Sequence, residues 1–237
     1  MSELRNVKWT VLAGLSLVLM VAGLTSAAEK SRALDPLENG LDGWLAKGPM
    51  ENSKWTTGTA KVDPDNPRAL VAGPAGDGPV ELITAAGHGA DIYTKEKFGD
   101  CTVEIELMVP QGSNSGVYLM GEYEIQVLDS FGKTSIGPGD MGGLYGTKPA
   151  DVNASKEPGA WQKFVIEFVA PRFEGEKKIA NARFTKVTLN GQVIHQDVEI
   201  QGKTGGDLYG KEVPEGSLML QGNHGPVAFR NIRITAP

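Results

Sequence analysis

The chain has 237 residues, 23 lysines and arginines against 29 aspartates and glutamates, a formal charge of −6, and a single cysteine. An acidic chain with no lysine/arginine cluster among aromatics lacks the electrostatic footprint of a nucleic-acid binder. A lone Cys101 excludes an intramolecular disulfide, so stability must come from a packed core, which a chain of this length can supply.

In chain order, a basic start at Arg5 and Lys8 leads into an apolar run from Trp9 to Leu24, then into Ser26 and Ala28. This is the layout of a cleaved secretory signal peptide over residues 1–28, with an uncleaved single span as the alternative. No cysteine follows the small residues, which argues against a lipoprotein anchor. No other apolar run approaches the roughly 20 residues that cross a bilayer. The expectation is an exported protein, periplasmic or extracellular, with no stable membrane span after cleavage. Residues 29–36 read as a short charged leader and 37–237 as one domain.

Within that domain, 31 glycines and 14 prolines separate short alternating runs. Such punctuation, without long helical periodicity, predicts an all-β sandwich or barrel. Residues 102–109 place Val103, Ile105, Leu107 and Val109 on one face and Thr102, Glu104 and Glu106 on the other. Cys101, at the head of this run, reads as a packed thiol.

The segment 114–129, NSGVYLMGEYEIQVLD, turns at Asn114-Ser115-Gly116 and ends in a strand carrying Glu124 and Gln126 on one face. Tyr123, Ile125 and Val127 take the other face. On alternation alone the commoner reading is a solvated outer face; the sharper one is a polar floor for a sugar-like ligand.

Residues 133–158 form a long Gly/Pro-rich stretch, and loops of that length in compact domains are usually functional or disordered. A further alternating run occupies 161–169. Residues 183–189 lead through Asn190-Gly191 into 192–195, the strongest short hairpin signal. The last strands are 217–221 and 227–234, and the apolar phase slips between Phe229 and Ile232, which predicts a bulge or two-sided burial.

Metal, nucleotide and nucleophile-elbow motifs are missing: there is no HExxH, EF-hand loop, P-loop, CxxC or GxSxG. Of three histidines, His88 and His224 sit in glycine-flanked loops and His195 on a hairpin strand. Flanking glycines let backbone approach a ligand and free an imidazole for acid–base work. A loop histidine is nonetheless more often simply solvent-facing. Arg230 among apolar neighbours suggests an ion pair, with Asp129 or Glu124 as partner. Tyr118, Tyr123, Tyr145 and Trp161 are the aromatics suited to stack on a sugar.

The ordered motifs carry more than their parts. They run Asn39-Gly40-Leu41-Asp42-Gly43-Trp44, Phe98-Gly99-Asp100, Asn114-Ser115-Gly116-Val117-Tyr118-Leu119 and Tyr123-Glu124-Ile125-Gln126-Val127-Leu128-Asp129. They continue as Gly143-Leu144-Tyr145-Gly146, Asn153-Ala154-Ser155, Pro158-Gly159-Ala160-Trp161-Gln162 and Leu220-Gln221-Gly222-Asn223-His224-Gly225. This pattern, over residues 37–235, resembles the 3-keto-disaccharide hydrolase family, described as 3-keto-glucoside 1,2-lyase / 3-keto-2-hydroxy-glucal hydratase.

The resemblance implies a concanavalin A-like jelly-roll sandwich of two antiparallel sheets, exported and acting on oxidised sugars. It implies proton abstraction at C2, elimination of the C1 substituent and hydration of the glucal. A non-catalytic carbohydrate-binding module of the same fold is the alternative. Mapped onto this chain, Glu124 or His224 is expected as base, Arg230 as enolate stabiliser or orienting partner, and Asp129 on or beside the same floor. Asn114, Gln126 and Gln221 are expected to read hydroxyls, and Tyr145 to close over the ligand. A divalent metal held by Glu124, His224 or Asp129 is an alternative electrophile, although no ligand spacing identifies one. Nothing in the sequence sets the oligomeric state. Two departures stand out: Glu122 replaces the basic residue common before the Tyr-Glu pair, and the 221–225 loop is one residue longer than the usual form.

Overall fold

The computed structural model describes residues 32–237, so the expected signal peptide lies outside the described residues. In chain order the strands are β1 Arg32–Leu34, β2 Trp44–Ala46, β3 Thr56–Asp63, β4 Asn66–Gly73, β5 Glu81–Thr84, β6 Ile92–Thr94, β7 Cys101–Met108 and β8 Asn114–Leu119. They continue as β9 Tyr123–Leu128, β10 Gln162–Val169, β11 Arg172–Glu174, β12 Lys177–Ala180, β13 Ala182–Leu189, β14 Gln192–Ile200, β15 Met219–Leu220 and β16 Val227–Ala236.

A nine-stranded sheet runs β14-β13-β10-β7-β16-β5-β3-β4, with β1 added to β16. A five-stranded sheet, β2-β6-β15-β8-β9, faces it, and β11 and β12 form a separate ribbon. The expected all-β, jelly-roll sandwich of two antiparallel sheets is what forms.

Period-2 patterning builds the core. Val103, Ile105 and Leu107 of β7, Phe164, Ile166 and Phe168 of β10, and Phe229 of β16 point inward from the large sheet. Val117 and Leu119 of β8 and Tyr123, Ile125 and Val127 of β9 meet them from the small sheet. Phe168 bridges the layers, its ring centroid 5.5 Å from Tyr123 and 5.1 Å from Phe184. Tyr123 is therefore a core residue, not a sugar platform. Cys101 is a packed thiol, pushed up to about 12 by burial and then by the Asp100 charge.

Local signals hold at the turns. Asn190 and Gly191 have φ of 53° and 83°, the two positive angles a type I′ hairpin needs. The phase slip in the last strand is a bulge: Asn231 has φ 49° and the β16–β7 register shifts between Arg230 and Arg233. Within the expected leader, Arg32–Leu34 pairs with residues 234–236 of β16.

The long stretch after β9 packs against the sandwich through Met141, Leu144, Ala150 and Ala154. It also runs beside β9, where Gly142 N donates to Gln126 O (2.8 Å), Gln126 N to Gly143 O (2.8 Å) and Tyr145 N to Glu124 O (3.1 Å). An otherwise open sheet edge is covered in this way.

Candidate active site

β8 and β9 pair so that Tyr118 lies opposite Glu124 and Gly116 opposite Gln126. With Val117, Leu119, Ile125 and Val127 committed to the core, the intervening side chains must point away from the sandwich interior. That outward face of the small sheet carries a cleft of about 240 Å³, room for one sugar ring. Asn114, Tyr118, Glu124, Gln126, Tyr145, Gly205, Gly206, Gln221 and His224 line it. Six of the eight residues expected from the sequence thus converge.

Glu124 is 2% exposed. Its carboxyl lies where Gly116 has no side chain: a Cβ there would sit 2.2 Å from Glu124 Oε1 and 3.0 Å from the Tyr118 ring. Glycine at 116 is thus a steric requirement of the carboxyl's position. Burial raises Glu124 to about 7, the Tyr118 hydroxyl opposes the shift, and the Asp91 charge adds to it. Tyr118 is driven well above its ordinary range by burial and by Glu124, so it stays a protonated donor. Its hydroxyl donates to Gly205 O (3.2 Å) and accepts from Gln221 Nε2 (3.1 Å).

Polar neighbours complete the floor. Gln126 Nε2 donates to Asn114 Oδ1 at 2.6 Å, which leaves the Gln126 carbonyl and the Asn114 amide NH₂ for a ligand. Residues 221–225 run along β8 through Gln221 N to Gly116 O (3.0 Å) and Gly225 N to Asn114 O (2.8 Å). This brings exposed His224 to the cleft, its Nδ1 held by the Asn223 side-chain oxygen. Tyr145, 44% exposed, stands as one wall.

The adjoining wall, where a Cβ on Gly205 would lie 3.7 Å from the Tyr145 ring, comes from a loop without local sequence signal. Thr204 N donates to Glu122 O (2.9 Å), Glu124 N to Thr204 Oγ1 (2.9 Å), and Leu208 N to Gly121 O (2.7 Å). Glu122 belongs to this anchorage and does not line the cleft. It is fully buried, accepts from Tyr209 N at 3.1 Å, and is raised to about 7, chiefly by burial. The acidic substitution at 122 therefore acts on the loop's seat, without a place on the ligand-facing surface.

Two expected residues lie elsewhere. Asp129 falls just past β9 and accepts from Gly112 N at 2.9 Å and Phe131 N at 3.4 Å, capping neighbouring turns. Arg230 belongs to the large sheet and points to its outer surface, because Phe229 takes the core side. Its Nε donates to Glu106 (2.8 Å), an NH₂ group reaches Glu81 (3.4 Å), and its guanidinium stacks 3.9 Å from the Trp161 ring. Its partners are thus Glu106 and Glu81, and neither Asp129 nor Glu124. Trp161 is accordingly engaged there and does not reach the cleft. Arg230→Gln is expected to change kcat/KM by less than about twofold. It should cost about 1–3 kcal/mol of stability in denaturant titration, since buried Glu81 loses its cation.

The other histidines separate likewise. His195 is fully buried, its Nε2 bonded to Gly142 O at 2.7 Å, and serves the long loop. His88 lines a neighbouring basin with Asp91 and Asn223. The donors proposed for a metal do not assemble: Asp129 is spent on turns, leaving Glu124 and His224 alone. No cluster of three or more His, Cys, Asp or Glu suited to a metal occurs among the described residues.

Comparison with known proteins bears on the family and the fold. Residues 35–235 match the model of the 3-keto-alpha-glucoside-1,2-lyase-like domain family. A crystal structure from Parabacteroides distasonis ATCC 8503, provisionally described as a glycosyl hydrolase, is 28% identical, covering 78% of this chain and 79% of that one with a TM-score of 0.59. A second from the same organism, described in the same way, shares the fold at 15% identity and a TM-score of 0.51, covering 81% and 88%. No curated protein matches the chain.

Proposed function

The chain belongs to the 3-keto-alpha-glucoside-1,2-lyase-like family, and from that premise we propose that it cleaves 3-keto-glucosides in the Glu124 cleft. The observation that carries the reading is a buried carboxyl that changes charge near neutral pH, set beside a tyrosine that does not. A general base works best when it titrates near the operating pH.

The ketone at C3 acidifies the C2 hydrogen. Glu124 takes that proton, and the C–H electron pair becomes the C2=C3 bond of an enolate with its charge on O3. Return of that charge forms C1=C2 and expels the oxygen at C1 with its substituent. Water then adds, hydroxyl to C1 and proton to C2, giving 3-keto-glucose. Fixed donors beside the developing oxyanion favour the enolate, and the Asn114 and Gln221 amides, with Tyr118 once its hydroxyl turns from Gly205 O, are the donors at hand. Arg230 has no part.

A non-catalytic sugar-binding module would be served by a shallow aromatic groove. A sunken carboxyl with raised proton affinity costs stability, and binding a neutral sugar does not need a group that changes charge near neutral pH, so catalysis is the better reading. Incubation with 3-keto-trehalose and 3-keto-β-glucosides tests it: release of 3-keto-glucose through a detectable 2-hydroxy-glucal is expected, and saturable binding without turnover would oppose it.

Tyr145→Ala is expected to raise KM about fivefold while largely preserving kcat, because the wall contacts the ring and not the reacting atoms. Export remains part of the proposal on the strength of the pattern at 1–28. N-terminal sequencing of the mature protein is expected to begin at Glu29.

A further inference from the structure

We propose that the C1 substituent departs across His224 into a second basin, where Arg68 and Gln111 receive a hydrophilic ring and favour one bearing a carboxylate. This inference rests on the reaction proposed above and names the part of the substrate that the sugar-sized cleft leaves outside.

The second basin measures about 440 Å³ and is bounded by Arg68, Gln111, Ser113, Asn114, His224 and Gly225, among others. Asn114 and His224 line both it and the cleft, so the two form one continuous trough with the imidazole at the border. The basin on the other side, with Lys47, His88 and Asp91, shares no lining residue with the cleft. Its lysine ammonium is spent on Gly206 O (3.0 Å) and Asp207 O (2.8 Å). A group attached to a ring in the cleft therefore has its open route past His224.

The walls of this trough are built, not incidental. Gly225 N donates to Asn114 O at 2.8 Å, Ser113 Oγ to Pro226 O at 2.5 Å, and Gln111 N to Pro67 O at 2.9 Å. A Cβ on Gly225 would lie 2.3 Å from Ser113 Oγ and 2.8 Å from Asn114 N, so only glycine lets the histidine loop lie this close to β8. Asp129, displaced from the cleft, holds Gly112 of the same wall at 2.9 Å.

The chemistry of the lining selects the occupant. Among the described residues, Arg68 enters no ion pair, and its own hydrogen bond is from backbone N to Asn66 Oδ1 at 3.1 Å. Gln111 is exposed on the same rim. An uncommitted guanidinium and an amide suit a hydroxylated ring, and the planar fork matches a carboxylate best.

His224 has the position of the acid. Its Nδ1 is engaged by Asn223, which leaves Nε2 for the trough. As the C1–O bond breaks, an imidazolium Nε2 proton passes to the departing oxygen. On hydration, water gives its hydroxyl to C1 and its proton to His224, and Glu124, whose carboxyl proton has exchanged with solvent after the leaving group departs, delivers a proton to C2, so both groups are restored.

The test compares methyl 3-keto-glucoside, 4-nitrophenyl 3-keto-glucoside, a neutral 3-keto-disaccharide, and the same disaccharide with a glucuronate as leaving ring. The wild-type protein is expected to favour the glucuronate over the neutral disaccharide by about fivefold in kcat/KM, and Arg68→Gln to bring that ratio near one. His224→Gln is expected to slow the methyl glucoside about 10²-fold and the 4-nitrophenyl glucoside only slightly, because nitrophenolate departs without a proton. A wild-type ratio near one, a ratio that survives Arg68→Gln, or equal slowing of both glucosides by His224→Gln would overturn the inference while leaving the parent reaction standing. Failure to process all four substrates would remove the parent reading, and this one with it.

Discussion

Glu124→Gln is expected to lower kcat on a 3-keto-glucoside by about 10³-fold, within the range that loss of a positioned general base produces. Glutamine keeps the size and much of the hydrogen bonding of the side chain but cannot accept the C2 proton. The wild-type rate should rise with pH toward about 7, where Glu124 ionises.

The same residue makes a thermodynamic prediction of opposite sign. An unfolded glutamate ionises near its ordinary value of 4.5, whereas burial holds the folded one to about 7. The folded state therefore binds the proton more tightly, and Glu124's contribution to stability declines as pH rises from about 4.5 to 7. Above pH 7 the penalty is complete, up to about 3 kcal/mol. Glu124→Gln should therefore melt higher than wild type at pH 8 and show little difference at pH 4. A variant both inactive and more stable is the signature of a group placed for chemistry against its solvation preference.

Gly116→Ala is expected to cost about 10²-fold in kcat with little loss of fold. The added methyl would collide with Glu124 Oε1 at 2.2 Å, and the atom that must yield is the end of a flexible side chain. The carboxyl can swing aside, so denaturant midpoints should move little, whereas a base displaced by about 1 Å loses its alignment with C2. Crystal structures or pH profiles of the variant should show a moved carboxyl with lowered proton affinity. An active Gly116→Ala with an unmoved profile would mean that Glu124's position is not what matters.

Much of this site was legible before any coordinates because β9 alternates cleanly. Tyr123, Ile125 and Val127 demanded a core, so Glu124 and Gln126 had to share the other face. Strand parity also bears on the two residues that lie elsewhere. Asp129 has the odd parity of the core-facing residues, and Arg230 is out of phase with inward-facing Phe229; both are therefore misplaced on a shared floor with Glu124. Arg230's true partners, Glu106 and Glu81, lie 124 and 149 residues away in sequence, and only the β7-β16-β5 strand order brings them together.

Tyr118's role depends on the β8–β9 register, which sets it opposite Glu124. Gly205 and Gly206 enter the cleft through a loop whose seat is the Glu122 carboxyl and carbonyl, and nothing in their local sequence announces it. Alternation reveals a face, whereas assembly of faces depends on long-range pairing.

The central claim is that Glu124 removes the C2 proton of a 3-keto-glucoside. The most direct measurement is turnover of 3-keto-trehalose in heavy water, with isotope content at C2 of the released 3-keto-glucose read against product incubated without enzyme. The account predicts deuterium at C2 in excess of that background for the wild-type protein and no enzymatic incorporation for Glu124→Gln. Release of 3-keto-glucose that retains its original C2 hydrogen would contradict it and point to direct displacement at C1.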